Sequence, residues 1–196
     1  MIRQATFSRK TNETDISVEL ELAAVGESII TSGVPFFDHM LAAFAKHGKF
    51  CIKLKCVGDI QVDAHHSVED IGLCLGAAIK DALGDKAGVS RFGHAVVPMD
   101  DALVLAAVDL SNRPFFAYKG TELRGYIGEY SEELTIEFLQ ALANSCSMNL
   151  HVHVLDGRNR HHIHEAIFKA LGLAMYKAVL IDPLAAGALP TTKGVL

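Results

Sequence analysis

Asp63-Ala-His65-His66-Ser-Val-Glu69-Asp70 and Asn159-Arg-His161-His162-Ile-His164-Glu165 carry one pattern twice, H-H-x-x-E, and each copy opens a run with helical periodicity. On a helix, residues three or four apart share a face, so Glu69 can reach a metal held by either His65 or His66. Adjacent residues point about 100° apart around the axis. One helix therefore cannot easily aim both imidazoles of a pair at one ion, and a pair suggests two metals, each histidine serving one. Imidazole and carboxylate together suit Mn, Fe, Zn, Co or Ni. The plain alternative is two unrelated histidine clusters on solvated helix starts. With ten His in 196 residues one His-His pair is unsurprising. Two pairs with the same Glu spacing, at matching places in the two halves, point to metal binding.

The flanking sequence repeats as well. Ahead of the first pattern, Arg3–Ser8 reads as a short strand and Arg9–Thr14 as a polar loop. Ile16, Val18, Leu20 and Leu22 then alternate with Ser17, Glu19 and Glu21, the signature of a half-buried strand. Ser28–Thr31 is a third short strand. After the break at Gly33-Val-Pro35, a helix is predicted over Phe36–His47, with Met40, Leu41 and Phe44 on one face and Gly48 at its stop. A strand follows over Phe50–Cys56. The first H-H-x-x-E helix runs to about Leu83 with Val68, Ile71, Leu75 and Ile79 as its apolar stripe and Gly84 as C-cap.

The second half repeats this order. Strands are predicted at Gly93–Pro98, Leu103–Leu110 and Pro114–Tyr118. A helix runs from Ser131, read as its N-cap, to about Ser147. A strand at Leu150–Val154 leads to the second H-H-x-x-E helix, which stops before Pro183. Each half reads βββαβα. The expected fold is α+β, an internally duplicated unit with two four-stranded sheets packed with helices, residues 1–88 forming one half and 89–196 the other. Superposing the helix around Asp38-His39-Met on Ile136-Glu137-Phe sets His39 opposite Glu137. Each half then offers three kinds of ligand: His39 or Glu137, a histidine pair, and Glu69 or Glu165. That inventory favours a closely paired dimetal site with open positions for substrate or water.

Composition excludes several function classes. Half of the residues are hydrophobic and 21% charged, as in a globular protein, and the net charge of −5 offers no electrostatic reason to expect nucleic acid. No 18-residue apolar run predicts a membrane span, and Met1-Ile-Arg-Gln-Ala-Thr lacks a signal peptide's apolar core. Cys51, Cys56, Cys74 and Cys146 fit neither a C-x-x-C zinc site nor a disulfide framework, and read as buried free thiols of a cytoplasmic protein.

Taken together, the motifs resemble imidazoleglycerol-phosphate dehydratase, a family of histidine biosynthesis. They are Arg9-x-Thr-x-Glu13-Thr, Gly33-Val-Pro-Phe-Phe-Asp-His39-Met-Leu, Asp63-x-His-His-x-x-Glu-Asp70, Pro98-Met-Asp, Asp109-Leu-Ser-x-Arg113-Pro, His161-His-x-x-Glu165-Ala-x-Phe-Lys169 and Thr191-Thr-Lys193-Gly, in that order. The resemblance implies a duplicated sheet-plus-helices fold, two manganese ions (Mn2+) per active site, and a homo-oligomer of twenty-four chains with active sites at subunit contacts. Carried over by position, one manganese is held by His39, His66, Glu69 and His162. The other is held by His65, His161, Glu165 and Glu137, the last standing where many relatives have His. Asp101 stands where the family usually has Glu, and Asn112 where it usually has Gly; neither is expected to touch the chemistry.

The resemblance also implies a reaction: imidazole glycerol phosphate loses water to give imidazole acetol phosphate. No carbonyl acidifies the carbon that loses its proton, so two metals on the substrate imidazole are expected to favour an imidazolate that expels the hydroxyl. Glu13 is the acid/base candidate. Arg91, Arg113, Lys169, Thr191 and Lys193 are expected at the phosphate, and His47 against the substrate. His94, His151, His153 and His164 receive no role. A dimetal hydrolase of phosphoesters or amides would share the ligands. A metal-storage assembly would leave Arg91, Arg113 and Lys193 unexplained.

Overall fold

Alternation in the strands and stripes in the helices resolve into four layers in a computed structural model that describes residues 3–185, 187–194 and 196. The first sheet has the order β1 (Gln4–Lys10), β2 (Thr14–Glu21), β4 (Cys51–Gly58), β3 (Ile29–Thr31). The second has β5 (Phe92–Met99), β6 (Ala102–Asp109), β10 (Asn149–Asp156), β7 (Phe115–Lys119), the same topology. In both, the edge strand β3 or β7 runs parallel to its neighbour and the other pairings are antiparallel. Ile16, Val18 and Leu20 on β2 and Ile52 and Leu54 on β4 turn inward and are buried. Val104, Ala106 and Val108 on β6 and Leu150, Val152 and Val154 on β10 do the same in the second sheet. Each of the larger of these side chains contributes roughly 1.5–3 kcal/mol by leaving water.

Helices α1 (Pro35–Gly48) and α2 (His65–Leu83) belong to the first half, α3 (Leu134–Cys146) and α4 (Arg160–Val179) to the second. α2 lies across the first sheet and α4 across the second, while α1 packs on α4 and α2 on α3. The predicted stripe Val68, Ile71, Leu75, Ile79 is fully buried. The packing is close because glycines face backbone. A Cβ on Gly72 would lie 2.8 Å from the Phe138 carbonyl oxygen, and one on Gly76 2.8 Å from that of Leu142. Four residues forward on α2 thus match four forward on α3, so the two helices run side by side in step. Gly172 on α4 meets α1 in the same way at Phe44 and Gly48.

The expected fold class agrees with this architecture, and several boundaries differ. Arg9 and Lys10 belong to β1, so the first hairpin turn is shorter than its polar sequence suggests. Gly48 lies inside α1, and Lys49 takes the left-handed cap with φ 50°; Ser147 caps α3 identically with φ 55°. Ser131 is not an N-cap. It lies in a short hairpin, β8 (Tyr126–Ile127) and β9 (Tyr130–Ser131), that the sequence reading leaves as loop, and α3 starts three residues later. Of the four thiols, Cys51 is only half-buried. Among the described residues, no helix is long and apolar enough to cross a membrane.

Candidate active site

The two H-H-x-x-E copies sit at the first turns of α2 and α4, and each start is held by the residue that opens the pattern. The Asp63 carboxylate accepts from the His65 N–H at 2.8 Å. The Asn159 side chain accepts from the N–H groups of His161 (3.0 Å) and His162 (3.4 Å). Because α1 packs on α4, His39 meets the second copy. Donor atoms of His39, His161 and Glu165 all lie within 4.8 Å of one another, the one such cluster among the described residues. Glu165 stands 3.3 Å from His161 and 3.9 Å from His39. Burial opposes ionisation of Glu165, but Lys169, His39 and His161 outweigh it and hold the carboxyl below its ordinary value.

Within one chain His39 lies with His161 and Glu165, because α1 packs on α4. On the other side His65 is 3.9 Å from Glu69. The helix register brings Glu137 to the same level. Counting back three residues from the Gly72 contact reaches Glu69 on α2 and the turn Thr135–Phe138 on α3, which contains Glu137. The same count, seven residues back from Gly172, reaches Glu165 and the turn that holds His39. By register alone, the α3 turn that contains Glu137 lies level with Glu69 of α2.

The inner histidines of the two pairs are oriented differently from the outer ones. The His66 Nδ1 is 3.0 Å from Asp59, and its Nε2 is 3.7 Å from Glu13. The Asp59 hydrogen bond raises the His66 pKa, against a small opposing effect of burial and with help from Glu13. Glu13 reaches this position because Arg9 and Thr14, on either side of the hairpin turn, both donate to the buried Asp70 of α2. In the second half the His162 Nδ1 is 2.7 Å from Asp101, and its Nε2 is 3.5 Å from Asp100. Asp101 also accepts from the N–H groups of Asn159 and Arg158, and those backbone bonds and His162 depress its pKa strongly. Asp101 thus orients the ring of a candidate ligand, as carboxylates commonly do behind metal-bound histidines. Asp59 is a second such residue that the sequence reading treats only as a turn. Neither has a spacing signature, since each reaches its histidine from a loop.

The expected phosphate set divides. Arg91, Arg113, Thr191 and Lys193 line one pocket of ≈ 500 Å³ together with Phe92, Pro190 and Thr192. Arg91 is aimed by Asp109 at 2.7 and 3.2 Å and donates to the Pro190 carbonyl at 2.8 Å, while Arg113 lies 4.0 Å from the same Asp109. Lys169 is not in this pocket: its Nζ is 2.8 Å from Glu165 and 3.4 Å from the Met99 sulfur. His47 is near it on α1, where burial first, and then Lys169, lower its pKa. His164 is fully buried, bonded to Thr135 (2.8 Å) and Glu132 (3.2 Å), and Arg160 closes that network on Glu132.

Comparison with known proteins agrees with the geometry. The imidazoleglycerol-phosphate dehydratase family model matches residues 32–175. The chain is 51% identical over 196 residues to the imidazoleglycerol-phosphate dehydratase of Geobacillus thermodenitrificans, with both chains fully covered. It is 52% identical over 197 residues to that of Moorella thermoacetica, again with full coverage of both. Among solved structures, imidazoleglycerol-phosphate dehydratase from Staphylococcus aureus superposes with a TM-score of 0.80 at 30% identity, covering 90% of this chain and 99% of the other. IGPD from Pyrococcus furiosus in complex with (S)-C348 superposes with a TM-score of 0.82 at 37% identity, covering 96% and 99%. Duplicated sheets, paired histidine helices and full-length identity converge on one assignment: the chain belongs to the imidazoleglycerol-phosphate dehydratase family, hydro-lyases of histidine biosynthesis.

Proposed function

We propose that the chain catalyses the manganese-dependent loss of water from imidazole glycerol phosphate, giving imidazole acetol phosphate, in the cytoplasm. The observation that carries the reading is the convergence of His39, His161 and Glu165 from two helices. Imidazole and carboxylate donors of this kind fit Mn(II). His39, His161 and Glu165 would hold one ion and His65, Glu69 and Glu137 the other. His66 and His162 would supply the remaining donors, with their rings already aimed by Asp59 and Asp101. When bound, manganese acidifies the imidazole it holds and so replaces the carbonyl on which ordinary eliminations depend. Glu13, beside His66 and about half exposed, moves the proton. Arg91, Arg113, Thr191 and Lys193 take the phosphate, where fixed cations and N–H donors match its oxygens. Lys169 holds Glu165 in its ionised form.

Self-association into a large homo-oligomer is part of the proposal. It is supported by exposed apolar side chains, among them Val25, Val62, Tyr126 and Leu184, and by the three-donor set, which leaves room for a further ligand. The test is metal removal coupled to an activity assay. Chelation should abolish dehydration of imidazole glycerol phosphate, and Mn(II) should restore it better than Mg(II), which prefers oxygen donors. Generic phosphoesters should not be turned over. Full activity after exhaustive metal removal would sink the proposal.

A further inference from the structure

Lys86, in the loop between α2 and β5, is 2% exposed. Its Nζ donates to the Leu110 carbonyl at 3.1 Å and to the Asn112 side-chain oxygen at 2.6 Å. Both acceptors are neutral. A buried ammonium without a carboxylate partner is costly, so its retention calls for a reason. The two acceptors bracket Ser111, whose hydroxyl accepts from the Arg113 N–H at 3.4 Å, and whose carbonyl accepts from the Arg113 guanidinium at 3.4 Å. One residue earlier, Asp109 aims Arg91. Segment 109–113 therefore carries Arg113 into the cationic pocket and aims Arg91 through Asp109, and Lys86 is bonded to that segment at Leu110 and Asn112. Burial lowers the pKa of this amine, and Asp109 and Arg91 are both close enough to act on it electrostatically. Asn112 takes a left-handed conformation, φ 59°, which Asn tolerates better than most residues.

We propose that Lys86 is a positioning residue for the anion pocket: its ammonium, held by Leu110 and Asn112, fixes segment 109–113 and adds positive charge behind Arg91 and Arg113. The inference rests on the reading that this pocket takes the substrate phosphate. Lys86 touches no substrate atom and acts through the pocket wall and its field. A second charge placed directly on the ammonium separates this role from simple packing.

Asn112→Asp keeps the acceptor and the loop but neutralises Lys86 with a buried carboxylate. The measurements are kcat, KM, the inhibition constant of inorganic phosphate and the melting temperature of the metal-loaded protein. Asn112→Asp should raise KM and the phosphate inhibition constant together by about tenfold, leave kcat within about twofold, and leave the melting temperature no lower. Lys86→Met should raise the same two constants while also lowering the melting temperature, and Lys86→Arg should recover part of the phosphate affinity. Unchanged KM and phosphate inhibition in Asn112→Asp would overturn the proposal and leave Lys86 a packing residue, even if Lys86→Met does not fold. Arg113→Gln is the separating arm. If it weakens phosphate while Asn112→Asp does not, only the role of Lys86 fails. If Arg113→Gln has no effect, the phosphate reading of the pocket fails and this inference with it.

Discussion

Glu137→Ala is the sharpest probe of the candidate centre, because the place of Glu137 follows from the register of α2 and α3. α2 and α3 advance in step past Gly72 and Gly76, which puts Glu137 level with Glu69 and His65. Removing one of three protein donors should weaken an ion at least as much as losing the outer support of a ligand, which typically costs 10–100-fold in affinity. With free Mn(II) held at about ten times the parent dissociation constant, a site weakened about 100-fold fills to roughly a tenth. Metal analysis after equilibrium dialysis should therefore fall from about two ions per chain toward one, and turnover should nearly vanish. His39→Ala should do the same to the other set, and Glu137→His should recover the lost ion, since imidazole is a comparable donor for Mn(II). Two ions and normal turnover in Glu137→Ala would refute the register argument and reduce Glu137 to a carboxylate on the helix surface.

Three further outcomes are expected. Glu13→Gln should keep its metal content and lose about 10²–10⁴-fold in turnover, the usual contribution of a positioned acid/base group; near-normal turnover would demote it to a hairpin residue. Glu132→Leu should strand the Arg160 charge and the buried His164, costing about 3–5 kcal/mol and lowering the melting temperature by roughly 6–20 °C; a shift under about 2 °C would contradict the network. Burial pushes the Cys74 thiol up to about 11 and Cys146 to about 12, and raises Cys56 as well. Since the thiolate is the reactive form, alkylation of native protein at pH 8 should modify Cys51 first, with the other three reacting only after unfolding. Rapid labelling of Cys146 in the native state would show that the core is looser than this packing implies.

The fold was legible wherever a local period carried it. Ile16, Val18 and Leu20 alternate because one sheet face is covered, and Val68, Ile71, Leu75 and Ile79 recur because one helix face is; both patterns are written in neighbouring residues. Helix ends and the β8–β9 hairpin were less legible. Ser131 followed by two glutamates has the composition of an N-cap, yet Tyr130 is pulled into the core and its hydroxyl bonds to Thr135 at 2.9 Å, so the chain pairs in a hairpin before the helix begins. Lys49 takes the left-handed cap that glycine usually takes, because Gly48 is needed where the Phe50 ring leaves no room for a Cβ. In each case a tertiary contact outweighs a local preference.

The site divides along the same line. Spacing names the residues of the H-H-x-x-E copies, but which helix faces which is a property of packing, and packing is what brings His39 to the second copy. Duplication pairs α1 with α4 and α2 with α3, crossing the halves, so His39 of the first half meets Glu165 of the second. On the proposed reading each donor set would draw on both halves. Glu137, standing where His39 stands in the other set, would make the sets chemically unequal. His39, His161 and Glu165 bring one carboxylate, whereas His65, Glu69 and Glu137 bring two. A divalent cation in the second set would sit against one more negative charge, which strengthens its retention and weakens its pull on a bound imidazole. On the proposed reading, two copies of one motif would yield two unlike sites, and Glu137 would be what separates them.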